Sequence, residues 1–158
     1  MLRLLALASL LAAPASAKSI LFVGNSFTFG ADSPIITWNA KSVTDLNRDG
    51  VGGVPALFKR FADESGLRYK VSLETAAGRS LRWHWENRRA LLDRKWDDVV
   101  LQEYSTLDPD RPGNAANLIT ASARFASMFR ARNRYVRIGL VATGPDFSAG
   151  RALGGQAD

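Results

Sequence analysis

Residues 20–32 read ILFVGNSFTFGAD. The apolar run ILFV is typical of a short buried strand, and it ends abruptly at Gly24, Asn25 and Ser26. In an open parallel sheet, ligands bind beyond the carboxyl ends of the strands. Two interpretations of this stretch follow: a simple turn, or a serine presented as a nucleophile at the end of a central strand.

Strand-like and helix-like segments alternate along the rest of the chain. Strands are predicted at residues 19–23, 69–75, 98–102 and 136–142, and helices at residues 55–65, 81–92 and 115–132. This alternation predicts an α/β fold, with a parallel sheet covered by helices on both faces. In a flavodoxin-like strand order, the stretches that follow the first three strands lie together at one edge of the sheet.

The regular pattern ends after residue 142. Residues 143–158 are rich in glycine and alanine and show no apolar period, which predicts an irregular tail. We therefore expect one domain over residues 18–142, with a sheet that is incomplete at its C-terminal flank. An exposed sheet edge of this kind is unfavourable.

The first 17 residues have the pattern of a secretory signal peptide. Arg3 precedes an apolar stretch that ends in an A-S-A site before Lys18. The stretch is too short to span a bilayer comfortably, so cleavage after Ala17 is preferred over a membrane anchor. We expect a secreted or periplasmic protein that begins at Lys18 and has no stable membrane anchor.

The composition excludes several classes of function. The chain has 158 residues, 46% hydrophobic and 23% charged, as expected for a globular domain. It has no cysteine, which excludes disulfides, zinc–thiolate sites and a cysteine nucleophile. The net charge is +6, but acidic residues are interspersed and no nucleic-acid-binding motif is present. We therefore expect no nucleic-acid partner.

Residues 45–50 read DLNRDG and match the start of a calcium-binding loop. Asp45, Asn47 and Asp49 would supply ligands, but the twelfth position is Ala56, where the loop requires a carboxylate. The same residue types are ordinary in turns. We expect a polar turn before the first long helix, and neither a metal nor another cofactor.

Ser26 is the candidate for nucleophilic chemistry. Ester hydrolysis by a serine requires an exposed hydroxyl, a base that takes its proton, and donors for the oxyanion. Thr28 stands where the nucleophile elbow of α/β-hydrolases has a second glycine, so that fold is not indicated. The same turn lacks the lysine of a phosphate-binding P-loop.

Three segments together resemble the SGNH/GDSL hydrolases. VGNSFTFG resembles the first block, in the subgroup where GNS replaces GDS, and ETAAGRSL and DVVLQEYST resemble the second and third blocks. The resemblance implies a flavodoxin-like, three-layer α/β/α fold and hydrolysis of carboxylic or carbohydrate esters. It implies that Ser26 is the nucleophile and that Gly78 and Gln102 supply oxyanion donors, the latter through its side-chain amide.

Four more residues are candidates for contact with a substrate. They are Asn25, Trp83, His84 and Tyr104. His84 is the only histidine, and it is interpreted either as a catalytic base or as a structural or pocket-lining residue between two tryptophans. The family also carries a D-x-x-H motif near its C-terminus, which this sequence lacks, so the resemblance implies a chain truncated before that block.

Two functions remain open on the sequence alone. The first is an exported ester hydrolase acting on a small-molecule or polysaccharide ester. The second is a non-catalytic periplasmic module that binds a carbohydrate or acyl ligand. The sequence does not indicate the oligomeric state.

Overall fold

The computed structural model describes residues 16–141 and residue 143. The predicted signal peptide, apart from residues 16 and 17, and the predicted tail, apart from residue 143, lie outside the described residues. Within them, no helix is long and apolar enough to cross a membrane.

The described part contains a five-stranded, wholly parallel sheet. The strands are β1 (Lys18–Gly24), β2 (Thr44–Asp45), β3 (Tyr69–Thr75), β4 (Asp98–Gln102) and β5 (Arg137–Val141), in the spatial order β2-β3-β1-β4-β5. The helices are α1 (Ser26–Phe29), α2 (Gly53–Glu64), α3 (Leu81–Leu92) and α4 (Ala116–Arg132), with short 3₁₀ turns at Pro34–Ile36 and Ala40–Ser42. The α/β prediction is confirmed, including four strands and three helices to within about two residues at most ends.

β1 is the central strand and the point where the strand order changes direction. It pairs with β3 on one side, with Gly24 opposite Thr75, and with β4 on the other, with Val23 opposite Leu101. The stretches that follow these three strands therefore lie side by side at one edge. This is the edge at which doubly wound sheets bind ligands.

Alternate residues of the strands build two apolar layers, one on each face of the sheet. The face under α3 and α4 holds the larger cluster: Leu21, Val23, Leu81, Leu92, Trp96, Val99, Leu101, Ala121, Phe125, Phe129 and Val136. On the opposite face, Ile20, Phe22, Val71 and Leu73 pack with Phe58 of α2. The core thus fixes β1 from both sides and makes its C-terminal end a rigid support.

β5 forms one lateral edge of the sheet. Arg137 binds Asp98 of β4 through two hydrogen bonds of 2.5 and 2.8 Å, which fixes the register of the pair. Farther along the strand, Leu140 and Val141 are about half exposed. The flank beyond β4 is therefore much less buried than the centre of the sheet.

Candidate active site

Ser26 is presented by a single helical turn immediately after β1. The backbone oxygen of Asn25 accepts hydrogen bonds from the N–H groups of Thr28 and Phe29, and the Asn25 side chain accepts one from the Phe27 N–H. Gly30 ends the turn with a φ of 70°. Ser26 is half-buried, and its hydroxyl forms no hydrogen bond with any residue that the structure describes. The structure thus places the hydroxyl just beyond the end of the central strand, and its role as a nucleophile stays a prediction.

Gly24 allows this turn to close tightly. A Cβ atom at this position would lie 2.2 Å from Oγ1 of Thr28 and 2.7 Å from Oε1 of Gln102. Both distances are far below a normal contact. The small residue before Asn25 is therefore required by the packing beneath the turn.

Asn25 joins the turns that follow all three central strands. Its Nδ2 donates to the backbone oxygens of Arg79, at 3.1 Å, and Glu103, at 3.2 Å, while its N–H donates to Oε1 of Gln102 at 2.9 Å. The side chain is buried, and both of its N–H groups are used. The sequence suggested that Asn25 contacts substrate, whereas these bonds make it the residue that holds the turns together.

Gln102 lies beneath the turn that carries Ser26. Its Oε1 accepts hydrogen bonds from the N–H of Asn25 and from Oγ1 of Thr28, and its Nε2 donates to the backbone oxygen of Glu103. The side chain is 1% exposed. The structure therefore places the carboxamide where it supports the turn, and not as a solvent-facing donor for an oxyanion.

Gly78 lies on the turn after β3, which Asn25 binds through Arg79. Its φ is 63°, in the left-handed region that glycine adopts at little cost, and it is exposed. Among the described residues, no group accepts a hydrogen bond from the N–H of Gly78 or of Ser26. These two backbone donors are available to a substrate oxygen.

His84 is fully buried and is paired with a carboxylate that the sequence analysis missed. Its Nδ1 is bonded to the side chain of Glu74, the penultimate residue of β3, while Nε2 has no partner among the described residues. No hydrogen bond links His84 to Ser26. Glu86, two residues further along the helix, instead pairs with Arg82. Glu74 stands in a strand that is buried on both faces, and a buried carboxylate needs a partner. Its position in the sequence was therefore a signal that could have revealed the pair with His84.

Glu103 is the second buried acid at this edge that the sequence analysis missed. Its Oε1 accepts the N–H groups of Leu81, at 3.0 Å, and Tyr104, at 2.7 Å, so it fixes the start of α3 against the end of β4. Its Oε2 has no partner in the described part of the chain. Burial raises the pKa of this carboxyl, against the opposing effects of the two N–H donors and of His84.

Trp83 lies beside these turns and carries two arginines. The guanidinium carbons of Arg79 and Arg88 are 5.2 and 5.1 Å from the centre of its ring. His84 meets the same indole edge-on, at 5.3 Å between ring centres. Trp83, predicted as a substrate contact, is therefore an aromatic support for two cations. Tyr104, another predicted substrate contact, is half-buried beside Glu103.

A cleft of about 540 Å³ adjoins the turns that carry Ser26 and Gly78. Phe29 of α1, Ala76 and Ala77 form the wall nearest to those turns. The remaining lining is half apolar and half polar: Ile36, Leu46, Val51 and Leu91, with Asn47, Asp49, Thr75 and Arg88. A ligand held here would lie next to the serine turn.

The DLNRDG segment forms the predicted polar turn. The Asp45 carboxylate accepts the N–H groups of Asn47, Asp49 and Val51 at 3.0, 2.9 and 3.1 Å. Asn47 donates in turn to the backbone oxygen of Thr75 at 2.8 Å. Across the described residues, no group of histidine and acidic side chains is arranged to hold a metal ion.

The fold is shared with the solved structure of TesA, and two further structures resemble it less closely. The crystal structure of TesA is 21% identical, with a TM-score of 0.60, over 85% of this chain and 66% of TesA. An extracellular lipase from Streptomyces rimosus is 11% identical, with a TM-score of 0.48, over 82% of this chain and 64% of the lipase. A structure described as a possible lipase from Chitinophaga pinensis is 15% identical, with a TM-score of 0.49, over 78% of this chain and 47% of that chain.

The likeness to TesA establishes the fold and not the activity, because one fold serves many functions. The α/β/α architecture with this strand order is the SGNH-type fold that the sequence resemblance implied. The chain spans just under two thirds of TesA and less of the two lipase structures. No protein-family model matches the chain, and no curated protein sequence matches it either.

Proposed function

We propose that this chain is a serine ester hydrolase of the SGNH/GDSL type, in the subgroup whose first block reads GNS. The position of Ser26 carries the proposal. It opens α1 directly after the central strand, and Asn25 holds its turn against the turns that contain Gly78 and Glu103. A free hydroxyl at the switch point of a doubly wound sheet is well placed to attack a bound ligand.

In the proposed reaction, Oγ of Ser26 attacks the acyl carbon of an ester, and its proton passes to a base. Negative charge then develops on the carbonyl oxygen, which the N–H groups of Ser26 and Gly78 stabilise. Loss of the alcohol, which carries away the proton, leaves an acyl-enzyme that water hydrolyses. The apolar part of the lining of the adjoining cleft suits an acyl chain or the face of a sugar.

Replacing Ser26 with alanine tests the proposal. We expect Ser26→Ala to lower kcat for 4-nitrophenyl butyrate by on the order of 10³-fold or more, because no other group can form the acyl-enzyme. We also expect a fluorophosphonate to label Ser26 in the parent, as peptide mass spectrometry would show. Ser33→Ala is the matched control, since Ser33 also begins a short helix near the site. Equal activity of Ser26→Ala and the parent would contradict the proposal.

A second candidate is a binding module that keeps the cleft without turnover. It is favoured by the absence of a hydrogen bond from any described side chain to the Ser26 hydroxyl, together with the burial of the only histidine. This candidate predicts no turnover and no fluorophosphonate labelling in the parent. It predicts that monoesters nevertheless shift the NMR signals of residues in the cleft.

We also propose export with cleavage after Ala17. The structure supports this boundary because β1 begins at Lys18, so that cleavage leaves the whole sheet intact. N-terminal sequencing of periplasmic material is expected to begin at Lys18. An intact Met1 in the exported fraction would contradict it.

A further inference from the structure

Two guanidinium groups near the turns of the candidate site are supported by one indole. Arg79 and Arg88 stack on Trp83. Arg79 directly follows Gly78, and its backbone oxygen accepts the hydrogen bond from Asn25 that ties the two turns together. The position of the Arg79 backbone is therefore fixed relative to Ser26.

The charge of Arg79 is not neutralised within the described chain. It forms no ion pair with any residue that the structure describes, and it is exposed. By contrast, Arg82 pairs with Glu86, and Arg132 pairs with Asp93. An unpaired arginine that is held by an aromatic ring, two residues after Ala77 of the cleft wall, is ready to accept an anion.

Arg88 connects this pair to the cleft. It lines the cleft, and its Nε lies 3.7 Å from Oε1 of Glu74 without a hydrogen bond. The side chain is 41% exposed, so the outer nitrogens of the guanidinium remain accessible. Glu74 therefore holds Arg88 on its inner side and leaves its outer side for a ligand.

We propose that Arg79 and Arg88 bind a carboxylate on the ester substrate, which makes the enzyme selective for acidic esters such as acylated uronic acids. The inference rests on the proposed function, because it assigns the substrate class of the same site. Arginine binds a carboxylate through two parallel N–H donors. A single negative charge suits the site better than a phosphate dianion, since Asp49 lines the same cleft and the buried carboxylate of Glu74 lies 3.7 Å from Nε of Arg88.

The test compares two esters of equal chain length, mono-4-nitrophenyl succinate and 4-nitrophenyl butyrate. The measured quantity is the ratio of kcat/KM for the acidic ester to that for the neutral ester. Arg79→Gln and Arg88→Gln are each expected to lower this ratio by about tenfold to a hundredfold, the effect of losing a charge-assisted hydrogen bond. Arg79→Lys is expected to keep only part of the ratio, because lysine lacks the two parallel N–H donors of a guanidinium group.

Arg89→Gln is the matched control. Arg89 lies next to Arg88 on α3. Its guanidinium carbon is 5.2 Å from the centre of the Trp85 ring, so it stacks on an indole as Arg79 does, but it does not line the cleft. Its replacement should leave the ratio unchanged. The inference is overturned if Arg89→Gln lowers the ratio as much as the other two variants, or if those variants leave it unchanged.

A binding measurement separates this inference from the proposed function. Ser26→Ala protein is titrated with monoethyl succinate and with inorganic phosphate, and binding is followed by NMR. Succinate binding that is lost in Arg79→Gln supports the carboxylate site, even where the parent shows no turnover. Tighter binding of phosphate than of the succinate monoester, or succinate binding that is independent of both arginines, overturns it.

Discussion

Gly24 controls the geometry of the nucleophile turn at the level of a single atom. We expect Gly24→Ala to destabilise the protein by about 1–3 kcal/mol, because the new methyl group overpacks the buried contact with Thr28 and Gln102. Chemical denaturation measures the change. Gly139→Ala is the control, since a Cβ there meets nothing within 4 Å. Equal effects at the two glycines would show that the close approach at Gly24 is not important.

Glu103 is expected to make stability depend on pH. Its pKa is raised in the folded state above the ordinary value of 4.5, so the folded protein holds more protons than the unfolded chain just above that pH. The contribution of this carboxyl is therefore fully present below about pH 4.5 and is lost as the pH rises through the folded pKa. Glu103→Gln keeps the acceptor for Leu81 and Tyr104 and removes the ionisation.

We expect the stability of Glu103→Gln, relative to the parent, to increase between pH 4 and pH 7, as urea denaturation at several pH values would show. Glu64→Gln, at an exposed position that pairs with Arg60, is the control. Parallel pH profiles for the parent and Glu103→Gln would contradict the assignment.

Individual site residues differed in how well the sequence predicted them. The positions of Ser26 and Gly78 could be predicted because each follows the end of a strand that the local pattern shows, whereas their roles stay predictions. The hydrogen bonds of Asn25 and Gln102 could not be predicted, since each residue has partners more than 50 residues away in the sequence and no local pattern encodes such partners. Glu103 likewise binds the N–H of Leu81, 22 residues away, as well as that of its neighbour Tyr104.

At the scale of the elements, one buried pair joins β3 to α3. His84→Leu is expected to cost about 3 kcal/mol or more, because it leaves the carboxylate of Glu74 buried without its main partner. Replacing both residues, as Glu74→Met with His84→Leu, is expected to cost less than the sum of the two single changes. Denaturation of the four proteins measures the coupling.

The exposed pair of Arg82 and Glu86, on the same helix, provides the comparison. Its two residues are largely open to solvent, and surface pairs of this kind contribute little. We therefore expect additive and small effects there. Strictly additive effects at Glu74 and His84 as well would mean that the buried pair does not act as a unit.

Long elements followed from the sequence, and short ones did not. α3 was predicted with its observed bounds because Ser80 caps its first turn and its apolar residues recur at the helical period. α1 and β2, with four and two residues, are too short to show a period. Backbone N–H groups donate instead to a side chain beside each of them, to Asn25 at the start of α1 and to Asp45 at the end of β2.

At the scale of the whole molecule, burial is greatest around β1 among the described strands. Its residues from Ile20 to Gly24 are buried, whereas most of β5 is exposed. The alternation of strands and helices was enough to predict this arrangement, because a strand covered on both faces has to be apolar throughout. The candidate site lies at the end of the buried strand β1, where a nucleophile can be held in a fixed orientation.

The bonds made by Asn25 also limit how such a protein can diversify. The side chain of Asn25 binds the backbone oxygens of Arg79 and Glu103, which lie on two different loops. Inserting or deleting a residue in either loop would therefore move that backbone oxygen out of reach of Asn25. Loop length should therefore vary little at residues 76–80 and 102–104. New specificities would arise instead by remodelling residues 31–52, which supply one wall of the cleft. Libraries for altered specificity are best built there, with the three linked turns left intact.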